Sequence, residues 1–343
     1  MSNGNREHPN NSAEPLITIA IPTFNRAELL KDCVATALAQ TYEDFELLVS
    51  DNASTDETAK VLSEFKDRRL RVIRQNENVG LLGNWNACLN EARGKYVVLL
   101  SDDDRIDARF LERCVPFIER EHDLPIVVGL TQRHSMSDGH ILPASESQKF
   151  ETGICDGADI LLEILRGRIT VQLCTVLLRA DLLRRKGGFL SDFCYAPDYA
   201  AMATLLLAGK AGFVNECCGT YTFHHNSQTS AFSIDVLLKD VEKLTELISS
   251  IANRTIADPR KRERIKSHAR RYLPLNVAFL VIESCKAGIS ISELGSVLWR
   301  WRRQLPSAVA IYSVRMAKLF AIRLLPTPAI QGVRRLLEPV SLH

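Results

Sequence analysis

Apolar residues along this chain fall into short runs separated by stretches of helical period. "LITIAIPTF" (Leu16–Phe24) is rich in β-branched residues and breaks at Pro22, so it reads as a buried strand. "AELLKDCVATALAQ" then places Leu29, Leu30, Cys33, Val34, Ala37 and Leu38 at helical spacing. "FELLVSDNASTDET" is a short apolar strand running into a polar turn. In that turn Asp51, Asn52, Ser54 and Thr55 are turn and cap residues, and Asp56 opens a helix over Glu57–Lys66. "LRVIRQ" is a third strand, "NENVGLLGN" a loop with two glycines, and "WNACLNEAR" a helix closed by Gly94. "KYVVLLS" is a fourth strand, which ends in three consecutive carboxylates, Asp102, Asp103 and Asp104.

Strands that alternate with helices over short connections predict a parallel sheet flanked by helices, an α/β architecture of Rossmann type. Ligands of such sheets bind at the carboxyl ends of the strands. The polar segments "PTFNR", "SDNASTD" and "SDDD" all follow strands there. Further on, a helix over Arg109–Glu121 leads to the strand "PIVVGL", and a second helix (Gly157–Arg166) leads to the apolar strand "TVQLCTVLLR". A glycine turn follows, then a helix with Asp198 at its N-terminal end. From about Ala231 the pattern is almost wholly helical, which divides the chain into a polar lead-in (1–14) expected to be disordered, an α/β domain (15–230) and a helical region (231–343).

The charge balance is +2 over 343 residues, too near neutral for a general nucleic-acid binder. The nine cysteines form no C-x-x-C pair, which disfavours zinc-ribbon and thioredoxin-type sites and suits a reducing compartment. The first residues lack the apolar core of a signal peptide, and no apolar run reaches the roughly 18 residues that a membrane span needs. These features predict a cytoplasmic protein. Basic residues in "LWRWRRQLPSAVAIYSVRMAKLFAIRLL" and "GVRRLL", with Glu338 the sole acid after Glu293, suit contact with an anionic membrane surface. A helical bundle packed on the α/β domain or on another subunit is the plain alternative.

Three adjacent carboxylates at a strand end repel one another unless a cation sits among them. Mg²⁺ and Mn²⁺ favour oxygen ligands and pair one or two carboxylates with substrate phosphates. A solvated turn that caps the next helix is the plain alternative. Asp51, after the second strand, stands where dinucleotide folds place an acidic residue. No G-x-G-x-x-G follows the first strand, and no G-x-x-x-x-G-K-[ST] occurs, so NAD, FAD and P-loop nucleotide sites are disfavoured.

Taken in order, "ITIAIPTFNR", "LLVSDNASTDET", "NVGLLGNWNACLNEARGKYVVLLSDDD" and "APDYAAMATLLLAGK" resemble the family 2 glycosyltransferases with the GT-A fold, over about Pro15–Ser230. The resemblance implies an inverting, metal-dependent enzyme. It would move a sugar from a nucleotide-diphosphate donor, of UDP or dTDP type, to a saccharide or lipid-linked acceptor in cell-surface polysaccharide synthesis. It implies that Pro22, Thr23, Phe24 and Arg26 hold the base and phosphates, and that Asp51 accepts a hydrogen bond from the base. Ser101 stands where many members have the first Asp of the metal motif, so the triplet can be read in more than one register. Asp102 is assigned to the nucleotide, and Asp103, Asp104 and His225 to Mg²⁺ or Mn²⁺. Asp198 matches the catalytic base, with Pro197 where many members carry an acid; it also suits an N-cap. A sugar-phosphate nucleotidyltransferase would need a glycine-rich loop after the first strand, which "PTFNR" lacks. A degenerate nucleotide-binding scaffold at the membrane would have no reason to keep Asp51, the triplet and Asp198 together.

Overall fold

The computed structural model describes residues 15–136, 139–224 and 234–271. The lead-in, His225 and the basic helices expected beyond 271 lie outside the described residues. In chain order the first half runs β1 (Ile17–Thr23), α1 (Ala27–Leu38), β2 (Phe45–Asp51), α2 (Thr58–Glu64), β3 (Leu70–Arg74), α3 (Gly80–Glu91), β4 (Tyr96–Leu99), β5 (Arg105–Ile106) and α4 (Phe110–Arg120). The second half runs β6 (Ile126–Ser135), β7 (Ile141–Leu142), β8 (Gly153–Asp156), α5 (Gly157–Leu165), β9 (Val176–Arg179), α6 (Ala180–Arg185), α7 (Pro197–Leu206), β10 (Lys210–Phe223) and α8 (Ile234–Thr255). A further helix, α9, covers 259–271.

The strands form one sheet in the order β3-β2-β1-β4-β9-β6-β10-β5. β1 to β4 are mutually parallel, and β10 is parallel to β6. β9 runs antiparallel between β4 and β6, and β5 antiparallel on β10. β1 and β2 are buried at every position, because helices cover both faces and no side of the strand meets water. Alternation along β4 divides the core: Tyr96, Val98 and Leu100 face α1 and α4, while Val97 and Leu99 face the layer of α3 and α5–α8. Leu237, Val241, Leu244 and Ile248 of α8 share that second core with Ala200, Met202 and Leu206 of α7. Among the described residues no helix is long and apolar enough to cross a membrane.

Two local expectations are corrected. The loop "NENVGLLGN" is half helix: α3 begins at Gly80, whose φ of +77° makes the turn into it, and Asn78 Oδ1 accepts the Gly80 N–H. α3 ends at Glu91 with Ala92 as its cap residue, so Gly94 is not its cap. Instead, a Cβ at Gly94 would lie 2.5 Å from the Thr18 backbone N and 2.6 Å from the Ile17 carbonyl carbon, where strand and connection cross. Backbone cannot yield as a side-chain tip can. Gly94→Ala is therefore expected to cost about 1–3 kcal/mol through overpacking, read as a lower denaturant midpoint at unchanged slope; an unchanged midpoint would contradict the crossing. One strand has no counterpart in the sequence reading: "KAGFVNECCGTYTF" is a 14-residue strand that pairs in parallel with β6, with register shifts after Val214 and Cys217.

Candidate active site

The register of the sheet assembles the site. Thr23 is the parallel partner of Asp51, and Asp51 the partner of Arg74, so the ends of β1, β2 and β3 lie level. Leu99 pairs with Ala20, which sends the triplet after β4 to the same edge. Two loops lock there. Asn25, at a φ of 52° that Asn tolerates better than most residues, accepts the Thr55 N–H at 2.7 Å and donates its own N–H to Ser54 Oγ at 2.9 Å. Asp56 serves two helix starts: Oδ2 accepts from Ala27 N at 3.0 Å, and Oδ1 from Thr58 N at 3.1 Å.

Pro22 and Thr23 are buried in β1, while Phe24 is 39% exposed at the edge, free to pack on a flat ligand. Asp51 is buried with both oxygens engaged. Oδ1 accepts the Ser54 N–H at 2.9 Å and Oδ2 accepts from Arg74 Nη1 at 2.7 Å. A carboxylate has about four acceptor sites, so it retains capacity for a ligand N–H. Arg74 was not among the sequence candidates. Its signal is visible only once β2 and β3 are paired in register.

The three carboxylates have three different environments. Asp102 Oδ2 accepts from Thr23 Oγ1 at 2.8 Å, and Oδ1 from Arg26 Nη1 at 3.0 Å. Burial pushes its carboxyl up to about 6, with Arg26 opposing and the Asp103 charge assisting. Asp103 Oδ2 lies 3.0 Å from both Arg26 Nη1 and His224 Nε2. Asp104 turns inward. It is 3% exposed, and its Oδ1 accepts the Thr222 backbone N–H at 2.8 Å beside the buried Cys174 thiol. Thus Asp102 and Asp103 bracket a guanidinium, and Asp104 ties the β4 end to β10. His224 lies beside the triplet, and His225, the residue expected there, is outside the described residues.

Burial, then the charge of Asp103, raise Asp104 well above the ordinary carboxylate range. The folded state thus holds this proton more tightly than the unfolded chain, whose carboxylates titrate at about 3.9. The stability gained is complete below that value and is lost as pH rises through the folded value. Asp104→Asn keeps an oxygen for the Thr222 N–H and removes the titration. Its Tm is expected above wild type at pH 8, with the gap shrinking towards pH 4; a lower Tm at pH 8 would show that the ionised carboxylate is favoured there.

Asp198 sits in the first turn of α7, behind Pro197 at the first helical position and Ala196 as the cap residue. It is therefore not the N-cap that its sequence position also suited. It is half-buried, and burial pushes its carboxyl up to about 6 against the pull of the Tyr199 N–H and its own. A turn over 207–209 joins α7 to β10, so the helix runs back along the sheet.

Among the described residues no three His, Cys, Asp or Glu groups converge as a ready metal cage. Asp102 and Asp103 do offer a hard oxygen pair that already faces a cationic group. That set fits a divalent ion shared with phosphate oxygens, not one enclosed by protein alone.

The sequence model of "Glycosyl transferase family 2" matches residues 18–180. The Escherichia coli protein "UDP-Glc:alpha-D-GlcNAc-diphosphoundecaprenol beta-1,3-glucosyltransferase WfaP" is 32% identical over 234 residues, covering 68% of this chain and 86% of that one. The chain belongs to glycosyl transferase family 2. Among solved structures, the Staphylococcus aureus TarS fragment in complex with UDP matches with a TM-score of 0.61 at 19% identity, over 86% of this chain and 82% of that one. A Pyrobaculum calidifontis mannosyltransferase, PcManGT, in complex with GDP-Man and Mn²⁺, matches with a TM-score of 0.50 at 19% identity over 89% and 87%. These likenesses show the fold, which is GT-A as the sequence resemblance implied. Against four other relatives this chain spans 21% to 42% of their length.

Proposed function

We propose that this family 2 member transfers a sugar, with inversion, from a nucleoside-diphosphate donor to a hydroxyl of a saccharide or lipid-linked acceptor in cell-surface polysaccharide synthesis. The observation that carries this reading is the meeting of Thr23, Arg26, Asp51, Asp102 and Asp103 at one sheet edge, with Arg74 added by the pairing of β3. It is the edge at which sheets of this topology bind ligands. A uridine nucleotide is favoured, because the E. coli relative is named for UDP-Glc and the TarS structure holds UDP.

In this reading Phe24 and Asp51 receive the base, and Arg74 holds Asp51 in place. Asp102 takes the ribose. Arg26 turns from the carboxylates to the phosphates. Asp103, with His224 beside it, would hold the divalent ion. Mg²⁺ or Mn²⁺ bound there supplies charge neutralisation for the departing diphosphate. Asp198 accepts the proton of the acceptor hydroxyl as that oxygen attacks the anomeric carbon from the face opposite the leaving group. One displacement inverts the configuration, and no covalent enzyme intermediate forms. A cytoplasmic site at the inner membrane face suits a lipid-linked acceptor of the kind named for the E. coli relative.

The test is nucleotide release from UDP-glucose, UDP-GlcNAc and GDP-mannose, each with Mn²⁺ or with EDTA. A synthetic GlcNAc-diphospho-lipid is added as acceptor, and the product anomer is read by NMR. The expected result is release from a UDP-sugar that needs Mn²⁺ and gives the inverted anomer. Release from none of the donors, by protein that also binds none of their nucleotides, would overturn the proposal.

A further inference from the structure

The segment entering α7 is held from outside its own domain of sequence. Ala196, the cap residue of α7, offers no side-chain hydrogen bond to the helix start. The acceptor comes instead from Asp240 on α8, a carboxylate only 1% exposed. Its Oδ2 accepts three consecutive backbone N–H groups: Cys194 at 2.6 Å, Tyr195 at 2.5 Å and Ala196 at 3.3 Å. Lys243, one turn further along α8, lies with Nζ 3.8 Å from Asp240 Oδ1 and donates to the Asp192 carbonyl. The same ammonium lies 5.9 Å from the Phe193 ring centroid. Two charged groups on one face of α8 therefore grip residues 192–196, and Asp198 follows two residues later.

A buried carboxylate is costly unless hydrogen bonds and an opposite charge compensate it. Here both compensations converge on one short loop. Three N–H groups directed at one oxygen fix the position and the direction of the chain as it enters α7. A Ser at 196 could have capped the helix locally without a buried charge. What the distant carboxylate adds is a fixed placement of the helix start relative to the sheet, through the apolar seam of Leu237, Val241 and Leu244.

We propose that Asp240 is a positioning residue for Asp198, and that α8 therefore belongs to the catalytic apparatus and is not a separate appendage. This rests on the reading of Asp198 as the base. Asp240 touches no substrate; it acts by holding the turn from which Asp198 projects. Misplacement of a reacting group by about 1 Å can cost on the order of a hundredfold in rate.

The experiment compares Asp240→Ala, Asp240→Asn, Lys243→Ala and Asp198→Asn in the full chain. Turnover is measured with the UDP-sugar and GlcNAc-diphospho-lipid pair described above, UDP affinity by calorimetry, and backbone amide exchange by mass spectrometry. Asp240→Ala is expected to lower kcat by about tenfold to a hundredfold with UDP affinity unchanged. Amide exchange at 194–196 should rise while the sheet stays protected. Asp240→Asn retains one acceptor oxygen and should recover part of the kcat, a rescue that loss of packing alone would not give. Lys243→Ala should move kcat in the same direction by less. If Asp198→Asn keeps full turnover, or the wild type has none, the base reading fails and Asp240 has nothing to position. If Asp198→Asn abolishes turnover while Asp240→Ala, with its 194–196 amides exposed, keeps wild-type kcat, the positioning proposal alone is overturned. Loss of UDP affinity and of sheet protection in both Asp240 variants would show a residue that serves the fold and would equally overturn it.

Discussion

Asp198→Asn is expected to lower turnover by about 10²- to 10⁴-fold, the range that a positioned general base contributes. Nucleotide affinity should be unchanged, because Asp198 lies on α7 and makes none of the contacts that assemble the nucleotide edge. The pH dependence supplies a second check. Burial raises the Asp198 carboxyl to about 6, against the stabilisation that a helix N-terminus gives to a carboxylate. A base works ionised, so kcat should rise with pH through about 6 and level off above it. The Asn variant should lose this acid limb along with its activity. Asp102 is raised to the same region. Its titration acts on donor binding, so it should enter kcat/KM and be absent from kcat at saturating donor. An Asn variant with wild-type kcat would remove Asp198 from the chemistry.

Asp103→Asn is the second large effect. Asp103 Oδ2 is the meeting point of Arg26 and His224, and in the proposed reading its carboxylate shares an ion with phosphate. The substitution keeps the shape and removes the charge. If Lewis-acid assistance supplies several kcal/mol, turnover should fall by about a hundredfold or more. Mn²⁺ should no longer tighten nucleotide binding, as calorimetry in Mn²⁺ and in EDTA would show. The contrasting substitution is Asp104→Asn, which should leave the Mn²⁺ effect in place because Asp104 is turned to Thr222 and Cys174. If the two variants behave the other way round, the roles within the triplet are exchanged.

The contrast shows what the sequence could carry. β1, β2 and β4 announce themselves as apolar runs because both their faces are covered. The segments that follow them are polar at the right places, and "DNASTD" and the triplet are distinctive in type and order. Their assignment to one sheet edge needed only the rule that ligands lie at the carboxyl ends of parallel strands. β10 was hidden because its pairing shifts register after Val214 and again after Cys217, which breaks the two-residue period by which strands are read. The start of α3 was hidden because Gly80 and Gly83 carry the composition of a loop.

Site residues were legible when their role depends on local context, and illegible when it depends on a distant partner. Which of three adjacent carboxylates turns inward is decided by Thr222, 118 residues away in sequence. Arg74 becomes a partner of Asp51 only through the register of β2 and β3. Asp240 lies in the region of helical pattern beyond Ala231, and nothing next to it in sequence marks a role. Only the packing of α8 against α7 brings it to the Cys194–Ala196 amides.

The central claim is that the edge bearing Asp51, Arg26, Asp102 and Asp103 is a nucleoside-diphosphate site. It is tested most directly by thermal unfolding of the full chain with UDP, GDP, dTDP and CDP, each with and without Mn²⁺. A ligand that binds only the folded state raises the midpoint; at a hundred times its Kd the gain is about 2.7 kcal/mol. The account predicts a rise with UDP that is larger in Mn²⁺ and is lost in Asp103→Asn. Folded protein whose midpoint moves with none of the four nucleotides, with or without Mn²⁺, would contradict it.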